Sequence, residues 1–288
     1  MKGKILFLVI IQFFYLKAQQ IILPVNDNFE LKVKVKVSIH PSDSSKFIYE
    51  YSIKNMPTSG QPVKYFKISN ERELPWPPIV DTVFPPINWR CIPNKPSWQA
   101  EWKPDIYPIL HPGDSLSGFI FHDRKLPDIG YWYSEGMDTI VFPTVIEGDV
   151  EELEDSIQKI YYNKTPFGPG KYGYTVVSGP LPPGEWNFDS TMYFVSDSGF
   201  YHLIDKTNKC FEQNWLKERA KNHLISMYER GLRHYQNNRV EQARKVLSQI
   251  IDYLERERGN LVFDEAFYVL YYRTKFVSEH LLEQYRNK

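Results

Sequence analysis

Apolar and polar side chains alternate strictly between residues 29 and 39, where aliphatic residues occupy every odd position from Leu31 to Ile39 and lysines occupy positions 32, 34 and 36. A period of two with one polar face predicts a strand of an antiparallel sheet. Two similar segments, residues 46–54 and 63–68, follow after turn-forming residues. The first half of the chain is therefore predicted to form an antiparallel, immunoglobulin-like β-sandwich.

A Pro-Gly turn signal at residues 112 and 113 leads into a further apolar strand that ends at residue 121. Leu116, Phe119 and Phe121 are the residues of this strand that we expect in the core. Residues 98–102 and 129–133 also show strand patterns, whereas the prolines of residues 71–96 predict an irregular connection and not a pair of strands.

From residue 197 onward the apolar residues recur three and four positions apart, which indicates amphipathic helices. Four helices are predicted, at about residues 197–211, 216–228, 240–254 and 262–282. Gly259 follows the third in the manner of a helix C-cap. Four apolar stripes with short connections can bury one another in a bundle. The predicted fold class is thus α+β, with separate all-β and all-α parts.

These patterns divide the chain of 288 residues into four segments. Lys2 and Lys4 precede an apolar run of about twelve residues, and Ala18 follows it, which is typical of a secretory signal peptide. The run is too short to span a bilayer. We predict a signal peptide at 1–19, a β-sandwich domain at 20–146, an acidic and then Gly/Pro-rich connector with short strands at 147–196, and a helical bundle domain at 197–288. The mature protein is expected to be secreted, periplasmic or at the cell surface, with no membrane span.

The connector contains the spacing GxGxxG at Gly168, Gly170 and Gly173. A dinucleotide site needs this loop between a strand and a helix, but a strand pattern follows here. We therefore interpret these glycines as turn residues in the connector, and we predict no cofactor.

The formal net charge is zero, which argues against a nucleic-acid partner. Residues 205–288 nevertheless hold 16 Lys and Arg against 12 Asp and Glu. The helical part could dock on a more acidic body, or its charges could simply be solvated. The two cysteines, Cys91 and Cys210, could form one disulfide between the two parts in an oxidising compartment, or Cys210 could be a buried free thiol on a helix.

Two groups of aromatic residues are the candidate ligand-binding residues. Trp98 and Trp102 fall on one face of a predicted strand, roughly 13 Å apart. An exposed pair would form a platform for sugar rings, whereas an inward-facing pair would belong to the core. Tyr131, Trp132 and Tyr133 form the second group.

Seven histidines are scattered along the chain without the spacing of a zinc motif, so no metal site is predicted. No sequence signature of a catalytic nucleophile is present, and no catalytic residue is assigned. A hydrolase would require His111 or His122 to meet a carboxylate such as Asp114 or Asp123 in a cleft.

The helical segment resembles the C-terminal module called FIMAH in secreted bacterial proteins, with departures in spacing. The resemblance rests on Trp215-Leu216, Ala220, Leu224, Leu232, residues 238–243, Leu247, Ile250-Ile251, residues 259–261 and Ala266. Residues 49–57 and 112–119 are similar to sandwich segments of secreted bacterial proteins of unknown function. A tetratricopeptide-like helix pair around Tyr235 and residues 238–247 is a competing match. The resemblance implies an exported accessory or surface-associated role and no catalytic residue.

Three hypotheses of function follow. The first is a non-catalytic exported binding or adhesion protein, in which the sandwich binds a polysaccharide or another cell-envelope component and the bundle docks. The second is a structural or assembly component of the bacterial cell envelope. The third is a hydrolase with a dispersed His/Asp site. The oligomeric state is left open by the sequence.

Overall fold

A computed structural model describes residues 27–70, 81–95, 98–105, 110–137, 170–179 and 197–286. The predicted signal peptide at 1–19, the acidic start of the connector and Gly168 lie outside these residues. Within them, strands fill the N-terminal part and helices the C-terminal part, so the predicted α+β order is confirmed.

Nine strands lie in the described part of the chain. They are β1 (Leu31–His40), β2 (Asp43–Asn55), β3 (Val63–Asn70), β4 (Thr82–Phe84), β5 (Trp89–Lys95), β6 (Trp98–Pro104), β7 (Ser115–Asp123), β8 (Pro127–Gly136) and β9 (Lys171–Ser178). They form two antiparallel sheets with the orders β1-β2-β7-β4 and β5-β6-β3-β8-β9.

The two sheets share an aromatic core. The ring of Tyr51, on β2, lies 5.9 Å from that of Phe66 and 6.4 Å from that of Trp102, both on the second sheet. The Tyr51 hydroxyl donates to the backbone carbonyl of Val176 at 2.7 Å. Because a buried hydroxyl without a partner is costly, this bond fixes β9 relative to the first sheet.

A β-bulge explains the spacing of the apolar residues in β7. Tyr51 pairs with Phe119 and Ser52 with Ser117, so Gly118 is the extra residue, and its φ of 95° favours glycine. The bulge lets Leu116 and Phe119, three positions apart, both pack on the core. The prediction that these residues and Phe121 face the core is confirmed.

Two sequence predictions about strands are wrong. Residues 71–96 contain β4 and β5, although they were expected to form an irregular connection. Pro93 is tolerated because β5 is an edge strand, where a missing N–H need not break the sheet. The strand pattern that the sequence shows in the connector is present as β9, which completes the second sheet, but β9 already begins at Lys171. Gly173 therefore lies within the strand, and the prediction that it is a turn residue is wrong.

The helices are α1 (Asp197–Glu212), α2 (Glu218–Gln236), α3 (Val240–Glu257) and α4 (Asp264–Arg286). Each helix packs against the next, and α1 also packs against α4. Gly259, predicted to close the third helix, has a φ of 79° and follows the C-cap residue of α3, Arg258. The predicted four helices are therefore present at close to their expected positions.

Helix α4 also packs on the sheets, where it contacts β1, β8 and β9. The ring of Tyr272 lies 4.9 Å from that of Phe47 on β2, in an edge-to-face arrangement. The strands and helices therefore share a continuous apolar contact.

Candidate functional site

One face of the second sheet carries five tyrosines, and we call it the tyrosine face. The strand register places cross-strand partners on the same side: Tyr131 opposite Tyr174, Tyr133 opposite Tyr172 and, on the next strand, Tyr65 opposite Glu135. The opposite side of these strands holds core residues such as Phe66 and Trp102. The tyrosine face is therefore the outer face of this sheet.

At the β9 edge of the tyrosine face, three tyrosine rings contact one another. The centroid of Tyr131 lies 4.8 Å from that of Tyr174 and 5.9 Å from that of Tyr172. Tyr172 and Tyr174 are 43% and 37% exposed, and Tyr131 is half-buried. We call these three residues the tyrosine patch. Such rings offer an apolar surface together with hydroxyl groups, as amphipathic recognition sites require.

The inner part of the tyrosine face is charged. The ammonium group of Lys67 lies 4.6 Å from the ring centroid of Tyr65 and 5.4 Å from that of Tyr133. The buried carboxylate of Glu101 pairs with Lys103 at 2.9 Å. Cation–π contacts and ion pairs hold these side chains in fixed positions beside the patch.

Glu135 is the second acidic residue of this face. Its carboxylate accepts a hydrogen bond of 2.6 Å from the Tyr133 hydroxyl and pairs with Lys64 at 2.8 Å. Burial by itself raises the pKa of Glu135, but the bonds from Lys64, Tyr133 and Tyr65 outweigh it and lower the pKa. A general acid for glycoside hydrolysis needs a raised pKa, so this carboxylate is suited to positioning and not to proton donation.

The structure separates the aromatic residues that the sequence grouped. Trp102 is fully buried and its ring lies 5.7 Å from that of Phe66, so it belongs to the core and cannot form a sugar platform. Trp98 is the first residue of β6, but its side chain is not among those that the structure describes. Tyr131 and Tyr133 lie on the tyrosine face, with Tyr133 buried, whereas Trp132 points to the other side of β8.

The residues of the hydrolase hypothesis do not come together. His122 and Asp123 are neighbours on β7, so their side chains lie on opposite faces of the sheet. The imidazole of His122 packs 5.0 Å from that of His40, whereas the buried Asp123 carboxylate accepts a 2.7 Å bond from Ser178. The Asp114 carboxylate accepts from the backbone N–H of His111 and not from its ring. The proposed His/Asp site is therefore not formed by these residues.

The two cysteines are both free thiols, so the disulfide alternative is not supported. Cys91 lies on β5 and is half-buried, whereas Cys210 is buried within α1. Burial raises the pKa of both thiols, which makes them poor nucleophiles.

A buried ionic cluster joins the strands to the helices. Asp128, on β8, pairs with Arg273 of α4 at 3.0 Å and also with Lys206 of α1. Arg273 further donates to the carbonyl of Pro127 at 2.8 Å and to Nε2 of His202 at 2.8 Å. The cluster is packed among core residues, and we interpret it as a structural connection.

No group of three metal-ligating side chains occurs among the described residues. None of the described helices is long and apolar enough to cross a membrane.

The chain matches no known protein family. No curated protein is significantly similar to it.

Tyr172 and Tyr174 are the site residues that sequence reasoning did not identify. Both fall in the segment that was assigned to the connector. The signal that could have found them is the strand pattern of residues 171–178, which places these tyrosines on one face.

Proposed function

We propose that this protein is an exported, non-catalytic binding protein whose ligand, a polysaccharide of the cell envelope or its surroundings, stacks on the tyrosine patch. The observation that carries the proposal is the contact between three tyrosine rings on two adjacent strands, two of them well exposed. Rigid, partly exposed aromatic rings with hydroxyl groups provide both stacking and hydrogen bonds to a sugar ring.

The surroundings of the patch favour a polar ligand. Ser69 lies opposite Tyr131 on β3, and Lys67 lies opposite Tyr133. The rings of the patch therefore border a serine and the charged inner part of the tyrosine face. This combination suits a carbohydrate better than a purely apolar molecule.

An immunoglobulin-like sandwich is the architecture that we propose for the two sheets. The orders β1-β2-β7-β4 and β3-β8-β9 follow the ABED and CFG arrangement, with the hairpin β5–β6 added next to β3. The proposal of export rests on the N-terminal sequence and on the FIMAH-like resemblance, and the helical part acts as a docking element.

The direct test is binding of the purified chain to an array of envelope and plant polysaccharides, followed by calorimetric titration of those retained. We expect saturable binding that falls by about tenfold or more in Tyr172→Ala and in Tyr174→Ala, since a lost stacking contact of about 1.4 kcal/mol corresponds to a factor of ten. Both side chains are substantially exposed, so these variants should fold normally.

The matched control is Tyr201→Ala, because Tyr201 is 56% exposed and lies on helix α1, whereas the patch lies on β8 and β9. Its affinity should equal that of the unchanged protein. Equal losses in all three variants, or saturable binding that survives the double change of Tyr172 and Tyr174 to alanine, would contradict the proposed site.

A further inference from the structure

A shallow groove of ≈ 390 Å³ runs between α2 and α3, and we call it the arginine groove. Its charged residues are Arg230 and Arg233 from α2 and Arg256 from α3, and no carboxylate lines it. Tyr253 forms its wall. The groove is on the helical part of the protein and is independent of the tyrosine patch.

The basic residues of α2 share one helix face. Arg219, His223, Arg230 and Arg233 are spaced by four, seven and three residues, which places them along one side of a helix. Arg219 also acts electrostatically on the Tyr253 hydroxyl, so it lies near the same wall. Like charges on one helix face repel and destabilise the helix unless something compensates them.

The described residues offer little compensation. No carboxylate pairs with Arg219, Arg230 or Arg233 within the part of the chain that the structure describes. Arg230 donates instead to the neutral amide oxygen of Gln249 at 2.9 Å. Only Arg256 has an acidic partner, Glu257, at 3.2 Å. Positive charge therefore exceeds negative charge in the groove.

The wall of the groove is well fixed. Tyr253 is 7% exposed, and its ring lies 4.4 Å from the imidazole of His223 and 5.3 Å from the guanidinium of Arg256. These contacts hold a cation and an imidazole against one aromatic ring. The groups are thus arranged before any ligand arrives, which lowers the entropic cost of binding.

From these features we infer that the arginine groove binds an oxoanion, that is, a carboxylate, sulfate or phosphate group. Guanidinium groups donate paired hydrogen bonds to planar or tetrahedral oxoanions and cannot accept hydrogen bonds. A groove lined by several of them therefore fits a ligand whose groups are hydrogen-bond acceptors. The volume suits a single charged sugar or a free anion and not a folded partner.

The test is calorimetric titration of the full purified chain at low ionic strength with sodium phosphate, sodium sulfate and trigalacturonate. We expect at least one probe to bind saturably, with an affinity that falls as salt is added. Arg230→Ala and Arg233→Ala should each weaken that binding by roughly tenfold, since each removes charge-assisted hydrogen bonds. Arg233→Lys should retain part of the binding, because lysine keeps the positive charge but lacks the paired hydrogen-bond donors.

Arg244→Ala is the matched control, since Arg244 is an exposed arginine of α3 that does not line the groove. It should bind as the unchanged protein does. An equal loss in Arg244→Ala would show diffuse charge attraction and overturn the inference, as would the absence of saturable binding by all three probes.

The probes also separate the sources of the anion. Tighter binding of trigalacturonate than of the inorganic ions would identify a charged saccharide, and tighter binding of phosphate or sulfate would identify the free or esterified tetrahedral anion. Tyr172→Ala should leave the affinities for phosphate and sulfate unchanged, because these ions have no sugar ring that could stack on the patch. A failure of the tyrosine patch and a failure of the arginine groove therefore give different results.

Discussion

The carboxylate of Asp128 lies 3.0 Å from the guanidinium of Arg273, and this buried pair connects β8 to α4. Lys206 of α1 reaches the same carboxylate. Burial by itself raises the pKa of Asp128, but Arg273 and Lys206 outweigh it, so the pKa is lowered and the carboxylate stays ionised. One acidic side chain thus pairs with cations from two helices.

Asp128→Ala should destabilise the protein by about 3–5 kcal/mol, because it leaves two buried cations without their counterion. Chemical denaturation followed by circular dichroism measures the change. The control is Asp205→Ala, which breaks the exposed pair with Lys209 and should cost less than about 1 kcal/mol. If both variants lost a similar free energy of unfolding, the buried pair would contribute no more to stability than the exposed one.

His202 should make stability depend on pH. Burial first, and then the charges of Arg273 and Lys206, lower its pKa from 6.5 to about 3. The Arg273 guanidinium donates to Nε2, so this nitrogen must be unprotonated in the folded state. Between pH 6.5 and 3 the unfolded chain therefore binds more protons than the folded one, and stability falls as the pH is lowered through this range.

His202→Gln tests this assignment, since its amide oxygen can accept the same bond but does not titrate. We expect the free energy of unfolding of the variant to fall less steeply from pH 6.5 to 4 than that of the unchanged protein. Parallel pH profiles would refute the role of His202.

Gly173 should be intolerant of a side chain. A Cβ at this position would lie 2.6 Å from Nε1 of Trp132, its cross-strand partner. Gly173→Ala should therefore destabilise by about 1–3 kcal/mol through overpacking. In a Trp132→Ala background the same change should cost much less, and a double-mutant cycle of unfolding free energies measures the difference.

Gly259 should be sensitive for another reason, its backbone conformation. Its φ is 79° and nothing lies within 4 Å of an added Cβ, so only the left-handed backbone opposes a side chain. Gly259→Ala is expected to cost about 1 kcal/mol, and Gly259→Asn less, because asparagine tolerates this region better. Thermal unfolding of both variants provides the comparison. An alanine variant as stable as the parent would contradict this reason.

The elements of the fold were largely predictable where the pattern was long and local. The alternation of residues 29–39 and the stripe of residues 240–254 each repeat their period several times, so β1 and α3 lie where they were expected. Strands β4 and β5 were missed because prolines and short length weaken the period, whereas the strand pattern of β9 was recognised but assigned to the connector. Their pairing depends on partners far away in sequence.

The candidate site was only partly predictable. Tyr131 was identified, but its partners Tyr172 and Tyr174 come from a strand about forty residues later, and only the register of β8 and β9 brings them together. Trp102 was a candidate because the alternation places it on the same strand face as Trp98, but its ring is buried in the core. Which face of a strand is buried is decided by the second sheet and not by the strand itself.

By itself the sequence determined the order of strands and helices, the ends of most helices and the core positions of the periodic segments, because these follow from local hydrophobic periodicity and capping. Only the tertiary structure decided which tyrosines form a patch, which arginines share a groove and which aspartate joins the two parts. These arrangements depend on strand register and on helix packing. Both bring together residues that are distant in sequence, so no local pattern reveals them.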